Sequence, residues 1–310
     1  MTIYDQLIQF LVSGLTIGSI YALIALGFVT IYNVTGIINF AQGEFAVYGA
    51  LVAVTLYQPQ IRLFSGSLTL EVGWPLLPAA VVGALAGSLL GLLLYRFGIQ
   101  PARKAAVLHM IIITIGAAFF FRGVSLLIWG TDPYRLPPFS TGPPFKVFGA
   151  ILTRQSVWVM AVTVVLLIAL YFFFNYTVIG KALRACAVNP KAARLMGINP
   201  HRMALLAFGL SAGITAIAGI VITPATFMTY DRGLILSLKG FVAAIIGGLS
   251  SPLGAVLGGL LLGILESFGA GLVSSGYKDA IAFVILFVVL AVQVGGLLRR
   301  RTATVERDGL

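Results

Sequence analysis

The sequence predicts an all-α fold: a polytopic transmembrane helix bundle of about eight to nine spans with broken helices. Three observations predict it. Hydrophobic residues make up 59% of the 310 residues and charged residues only 9%, against about 25% charged in a soluble domain. A soluble fold of that composition would expose large apolar patches, so the solvent of this chain is the bilayer. The apolar residues also fall into runs long enough to cross the hydrocarbon core, which takes roughly 20 residues in a helix. Finally, one early and one late run are interrupted by residues that helices tolerate poorly.

The first run, residues 7–32, is preceded by Asp5 rather than by basic residues, and it is too long for a signal peptide. It reads as a retained helix. Runs at 37–56, 76–95, 107–129, 157–174 and 203–223 follow, then a short one at 238–248 that is too brief to span alone, then 253–272 and 280–297. Glycines recur at four-residue spacing, as Gly83, Gly87 and Gly91, as Gly254 and Gly258, and as Gly259 and Gly263. Helices in lipid associate largely through close backbone approach at small residues, so this spacing predicts a tightly packed bundle. The whole of residues 1–310 is then one membrane domain.

Lys and Arg orient it. Arg96, Arg103 and Lys104, then Lys181, Arg184, Lys191, Arg194 and Arg202, then Arg299, Arg300, Arg301 and Arg307 fall in alternate connections and the tail. Arg62, Arg135, Lys146, Arg154, Arg232 and Lys278 fall in the others. Twelve against six places the first set in the cytoplasm, with the N-terminus outside and the C-terminus inside. The proline-rich segment 131–155 then lies outside, as a packed lid or an extended loop. The net charge of +11 is thereby a topology signal rather than a nucleic-acid surface. The single cysteine, Cys186, leaves no internal disulfide or cysteine-based metal cage and reads as a small apolar filler.

The interruptions are Asn33 through Glu44 and Gly247 through Gly254. Broken segments in both halves of a membrane protein point to a transport path, because freed backbone groups are tolerated only beside protein or water. Asn39, Gln42 and Glu44 are the candidate path residues. On one continuous helix the first two would not share a face with Glu44, so they act together only if the segment is broken. Glu44 has two readings, substrate or gating work and a buried structural pair with Arg122; Glu266 is a second acid within a span.

Residues 176–202 form the longest inside connection. Within it 191–196 lies between Pro190 and Gly197, a proline at the start and a glycine just past the end of a short helix. Such a helix either docks a partner or lies as a basic helix on anionic lipid.

Gly14 through Gly27, the run Ile38-Asn39-Phe40-Ala41-Gln42-Gly43-Glu44, Arg184 through Ala187, Gly197-Ile198-Asn199 and Tyr277-Lys278-Asp279 resemble, in order, motifs of permease subunits of branched-chain amino-acid ABC importers. The resemblance implies a bacterial inner-membrane subunit moving leucine, isoleucine or valine by alternating access. It implies a second related permease, two cytoplasmic ATPases that bind the ATP, and a periplasmic binding protein. Arg184, Pro190, Lys191, Ala192, Ala193 and Gly197 then form the ATPase-coupling element, with lysine at 191 where the family pattern has glutamate. Gln42 stands where the family often has histidine, so proton sensitivity is not carried over to that point. Related permeases carry urea or short amides, and an ion-coupled secondary transporter is the alternative of a different class.

The residues argue against an enzyme. His109 and His201 are far apart, neither HExxH nor GxSxG occurs, and Gly180-Lys181-Ala182 lacks the rest of a phosphate loop. The chain is expected to carry no cofactor, and its energy to come from a partner.

Overall fold

The computed structural model describes residues 3–64, 68–102, 105–147, 149–272, 274, 276, 279–285, 287, 288 and 291. Its helices are α1 (Ile3–Thr35), α2 (Gln42–Tyr57), α3 (Leu76–Leu93), α4 (Val107–Trp129), α5 (Arg154–Tyr176), α6 (Val178–Val188), α7 (Pro190–Leu195), α8 (Pro200–Ile222), α9 (Arg232–Gly247) and α10 (Pro252–Leu272). A π-helical turn, Leu94–Ile99, continues α3. Among the described residues six helices are long and apolar enough to cross a membrane: α1, α3 with its continuation, α4, α5, α8 and α10. The last predicted run is helical at 279–285 and then passes largely outside the described residues. Arg103, Lys104, Tyr277, Lys278 and the C-terminal arginines also lie outside them.

Of the six long helices, two sit inside the others. The apolar windows of α1 and α8 are 89% and 72% buried, against 22%, 22% and 17% for α3, α4 and α5. Glycine rows explain how α3 and α10 close on this centre. Gly83 faces the Gly49 carbonyl of α2, and Gly87 and Gly91 face Ala216 and Ala212 of α8. Gly259 and Gly263 press on Ala22 and Gly18 of α1, while Gly258 presses on Ala243 of α9. The opposite face of α3, with Leu77, Val81, Leu85 and Leu89, is exposed apolar surface at helical spacing.

Two hairpins, β1 (Ile61–Leu63) with β2 (Leu68–Leu70) and β3 (Phe145–Val147) with β4 (Ala150–Leu152), occupy connections assigned to the outside. The proline-rich segment packs rather than dangles. Tyr134 pairs with Met228 through both backbone hydrogen bonds, and Arg135 donates from Nε and Nη2 to the Pro224 carbonyl at 3.0 and 2.9 Å. Burial and nearby Asp132 push the Tyr134 phenol up.

The structure revises one expectation. The short run at 238–248 is the end of a 16-residue helix, α9, whose first turn carries Arg232 and Gly233 and therefore did not register as apolar. The late interruption falls where the sequence places it: residues 248–251 form a tight turn between α9 and α10, with Gly248 at φ +85° and Ser251 N–H donating to its carbonyl, and Asn33 Nδ2 of the early interruption donates to the Ser250 carbonyl at 3.2 Å. A further break, 223–231, separates α8 from α9, with Pro224 beyond the end of α8. In the sequence this stretch looks like an ordinary polar loop.

Candidate functional site

The early interruption is real and compact. α1 ends at Gly36, held at φ +69°, and Asn39 turns the chain into α2 by accepting from the Ala41 N–H at 3.2 Å. Asn39 Nδ2 donates to Gln42 Oε1 at 3.2 Å. Gln42 Nε2 donates to Ser211 Oγ at 2.8 Å and to Thr215 Oγ1 on α8, and Ser211 Oγ donates to the Gly27 carbonyl of α1 at 2.7 Å. Breaking α1 from α2 thus brings polar groups of three helices together about midway along α8. Asn39 and Gln42 are completely buried, which is affordable only because each is hydrogen-bonded.

The start of α9 lies against the start of α2. Ser237 Oγ donates to the Phe40 carbonyl at 2.8 Å. A side chain at Gly43 would meet the Gly233 carbonyl at once, so only glycine allows the two backbones to approach this closely. Glu44 continues the contact with its carboxylate beside Gly233, in the first turn of α9, where a helix favours negative charge. Arg122 on α4 reaches Glu44 Oε1 at 3.5 Å. Among the described residues Glu44 Oε2 and Arg122 Nε have no hydrogen-bond partner. Asn39 and Gln42 thus share one hydrogen-bonded cluster against α8, whereas Glu44, two residues on, turns to α4 and α9. All three are buried in this conformation, and none lines the cavity between α1, α5, α6 and α10.

A second buried charge cluster was not legible from spacing. Lys239 Nζ on α9 lies 2.7 Å from Glu266 Oε1 of α10 and 2.7 Å from Asp279 Oδ1, with the Tyr21 ring centroid 5.5 Å away. Tyr277-Lys278-Asp279 contributes its aspartate here.

The connection 176–202, expected on the inside, is a succession of capped helices. Thr177 caps α6 by accepting from the Gly180 N–H, Asn189 caps α7 by accepting from Lys191 and Ala192 N–H, both at 3.0 Å, and Asn199 caps α8 by accepting from His201 and Arg202 N–H. Pro190 occupies the first turn of α7. Gly197 sits at φ +81° and ends α7, with Ile198 N–H donating to the Ala193 carbonyl at 3.0 Å. The expected short helix is present, one residue earlier than the 191–196 reading.

Side-chain directions revise the details. Ala193 is buried within this chain at 4% exposure, so it serves α7's own packing, whereas Lys191 and Ala192 face outward. Val188, Leu195 and Met196 flank α7 as apolar side chains 87%, 89% and 81% exposed. Apolar residues beside a short basic helix were the signal that sequence reasoning passed over. Arg184 stands apart, its Nη1 donating to Asn175 Oδ1 at the end of α5 at 2.9 Å. Cys186 is on the buried face of α6, as expected of a filler, and burial pushes its thiol up. Among the described residues no group of His, Cys, Asp and Glu is arranged to hold a metal ion.

Long apolar helices, interrupted twice so that hydrogen-bonded polar groups meet inside the bundle, define a multi-pass membrane transport protein. The chain belongs to the family described as the permease component of branched-chain amino acid transport systems, whose model matches residues 10–290. It is 34% identical to the high-affinity branched-chain amino acid transport system permease protein LivH of Escherichia coli K12, over 94% of this chain and 96% of that one. It is 32% identical to BraD of Pseudomonas aeruginosa, over 96% of this chain and 97% of that one. A probable LivH of Methanocaldococcus jannaschii is 29% identical, over 90% and 88%.

Proposed function

We propose that residues 1–310 form the transmembrane permease subunit of an ATP-driven importer for branched-chain amino acids in a bacterial inner membrane. The observation that carries this beyond family membership is α7. It is a six-residue helix held rigidly by Asn189 and Gly197, and it presents Val188, Leu195 and Met196 to whatever lies beneath. Helices shorter than about 12 residues are marginal in water, so one capped and braced in this way is suited to transmit force to a partner surface.

In this reading α2, α9 and the helix beginning at Asp279 cross or partly cross the membrane with the six long helices, which brings the spans to eight or nine. The N-terminus is outside, the C-terminus is cytoplasmic, and 176–202 is the coupling loop. A loaded periplasmic binding protein docks outside, a second related permease completes the path, and two cytoplasmic ATPases bind the ATP. Their closure moves α7 and, through α6 and α8, the junction of α2 with α9. This chain contributes no cofactor.

The test is reconstitution of the chain with candidate ATPase, permease and binding-protein partners in vesicles. ATP-dependent uptake of labelled leucine in preference to urea is the expected result. Gly197→Val strains a left-handed residue by about 1 kcal/mol or more and should leave insertion intact while ATP hydrolysis proceeds without uptake. Full leucine uptake by Gly197→Val would remove α7 from the coupling path. Uptake that ignores ATP would identify a secondary transporter.

A further inference from the structure

A cavity of about 770 Å³ opens between α1, α5, α6 and α10, within the range of about 300–1,000 Å³ typical of ligand sites. Its lining changes character in one direction on three separate helices. On α1 it passes from Leu26 to Asn33, and on α5 from Leu167 to Asn175. On α10, which runs the other way, it passes from Val256 back to Ser250. Eight residues of helix span about 12 Å, so the groove is apolar at its deep end and polar at its mouth. Arg184 stands at that mouth as the one charged residue lining the groove among the described residues.

We propose that this groove binds an anionic phospholipid, with an acyl chain along the apolar end and the phosphate at Arg184. The walls belong to α1, α5 and α10, all long and apolar enough to cross a membrane, which puts the groove at membrane depth. The amphipathic gradient matches a lipid set parallel to the helices, headgroup toward α6. Charge complementarity selects the headgroup. A guanidinium carries five donors, and Arg184 gives Nη1 to Asn175 Oδ1, an arrangement that orients the fork and leaves donors for phosphate. Basic pockets between membrane helices recognise anionic headgroups in this way. A free amino acid fits poorly, since it would bring two charges to a largely apolar wall with a single cation.

The experiment uses the full chain, purified in mild detergent and exchanged into nanodiscs of phosphatidylcholine alone or mixed with phosphatidylglycerol, with retained lipid measured by native mass spectrometry. The wild-type chain should retain phosphatidylglycerol over phosphatidylcholine by about tenfold or more, the factor that one hydrogen bond to a charged group supplies. Arg184→Gln should lose that preference. Val256→Trp, which fills the apolar end, should lose both lipids, and it keeps the test alive if Arg184→Gln fails to fold. Arg202→Gln removes the same charge off the groove and should change nothing. Equal loss of preference in Arg202→Gln would reduce the effect to general attraction and overturn the proposal. So would an unchanged preference in Arg184→Gln, or a groove empty of lipid and cross-linked at position 256 to a protein partner. The readout involves neither leucine nor ATP, so its failure leaves the transport reading standing.

Discussion

At the start of α2, Glu44 meets one cation, Arg122, at 3.5 Å. On α9, Lys239 meets two carboxylates, each at 2.7 Å, and lies under the Tyr21 ring. Both helices have 16 residues, and their first turns touch. They differ in how firmly buried charge is held. A long pair carries desolvation cost without full return and can exchange partners, whereas a short pair with a second carboxylate is a fastening. The α2 end is therefore the side of the junction free to change during transport, and the α9 end ties the junction to α10 and to the helix that begins at Asp279.

The largest effect follows from breaking the fastening. Lys239→Met leaves Glu266, fully buried, beside Asp279 with no cation between them. Removing one member of a buried pair costs about 3–5 kcal/mol, so folded permease should largely disappear from membranes, as size-exclusion of the detergent-solubilised chain would show. Adding Glu266→Gln should restore much of it. Wild-type yield from Lys239→Met alone would make the two ends equivalent and end the comparison.

Glu44→Gln should behave in the opposite way. It replaces a buried carboxylate by a neutral isostere whose oxygen can still accept from Arg122, so the loss of stability should be smaller than the roughly 3–5 kcal/mol of the broken short pair. Initial leucine uptake should nevertheless fall several-fold in reconstituted vesicles. Normal uptake with normal assembly would make Glu44 structural, and loss of assembly would make it a fastening like Lys239.

These two residues also mark the reach of sequence reading. The run at 107–129 coincides with α4 because apolar length alone sets its ends, and the break before Glu44 was visible because Gly36, Asn39 and Gly43 cluster there. Arg122 could be named as Glu44's partner because few charges lie within spans. The apolar run at 238–248 starts just before Lys239 because α9 opens with Arg232 and Gly233, so nothing in the spacing points from Lys239 to Glu266. The break at 223–231 escaped for a related reason: its contacts, Tyr134 with Met228 and Arg135 with Pro224, join segments some 90 residues apart. Ala193 was expected to face a partner, but a six-residue helix has no periodicity long enough to show which side packs inward.

The smallest effect concerns whether the two ends move together. Ser237 is 1% exposed, and its hydroxyl bond to the Phe40 carbonyl at 2.8 Å is a direct side-chain hydrogen bond from α9 to the segment that leads into α2. Ser237→Ala removes one hydrogen bond and should cost about 1 kcal/mol of stability, near the limit of a denaturation measurement. Its diagnostic value lies in combination with Glu44→Gln. Independent, distant sites add to within about 0.5 kcal/mol. If the α2 start slides against a fixed α9, Ser237→Ala should loosen the same step that Glu44→Gln disturbs. The double variant's uptake should then depart from the product of the single effects by more than that additive limit allows. Strict additivity in the uptake cycle would mean that the two half-length helices touch without working on each other, and the contrast between their ion pairs would reduce to two separate solutions for burying charge.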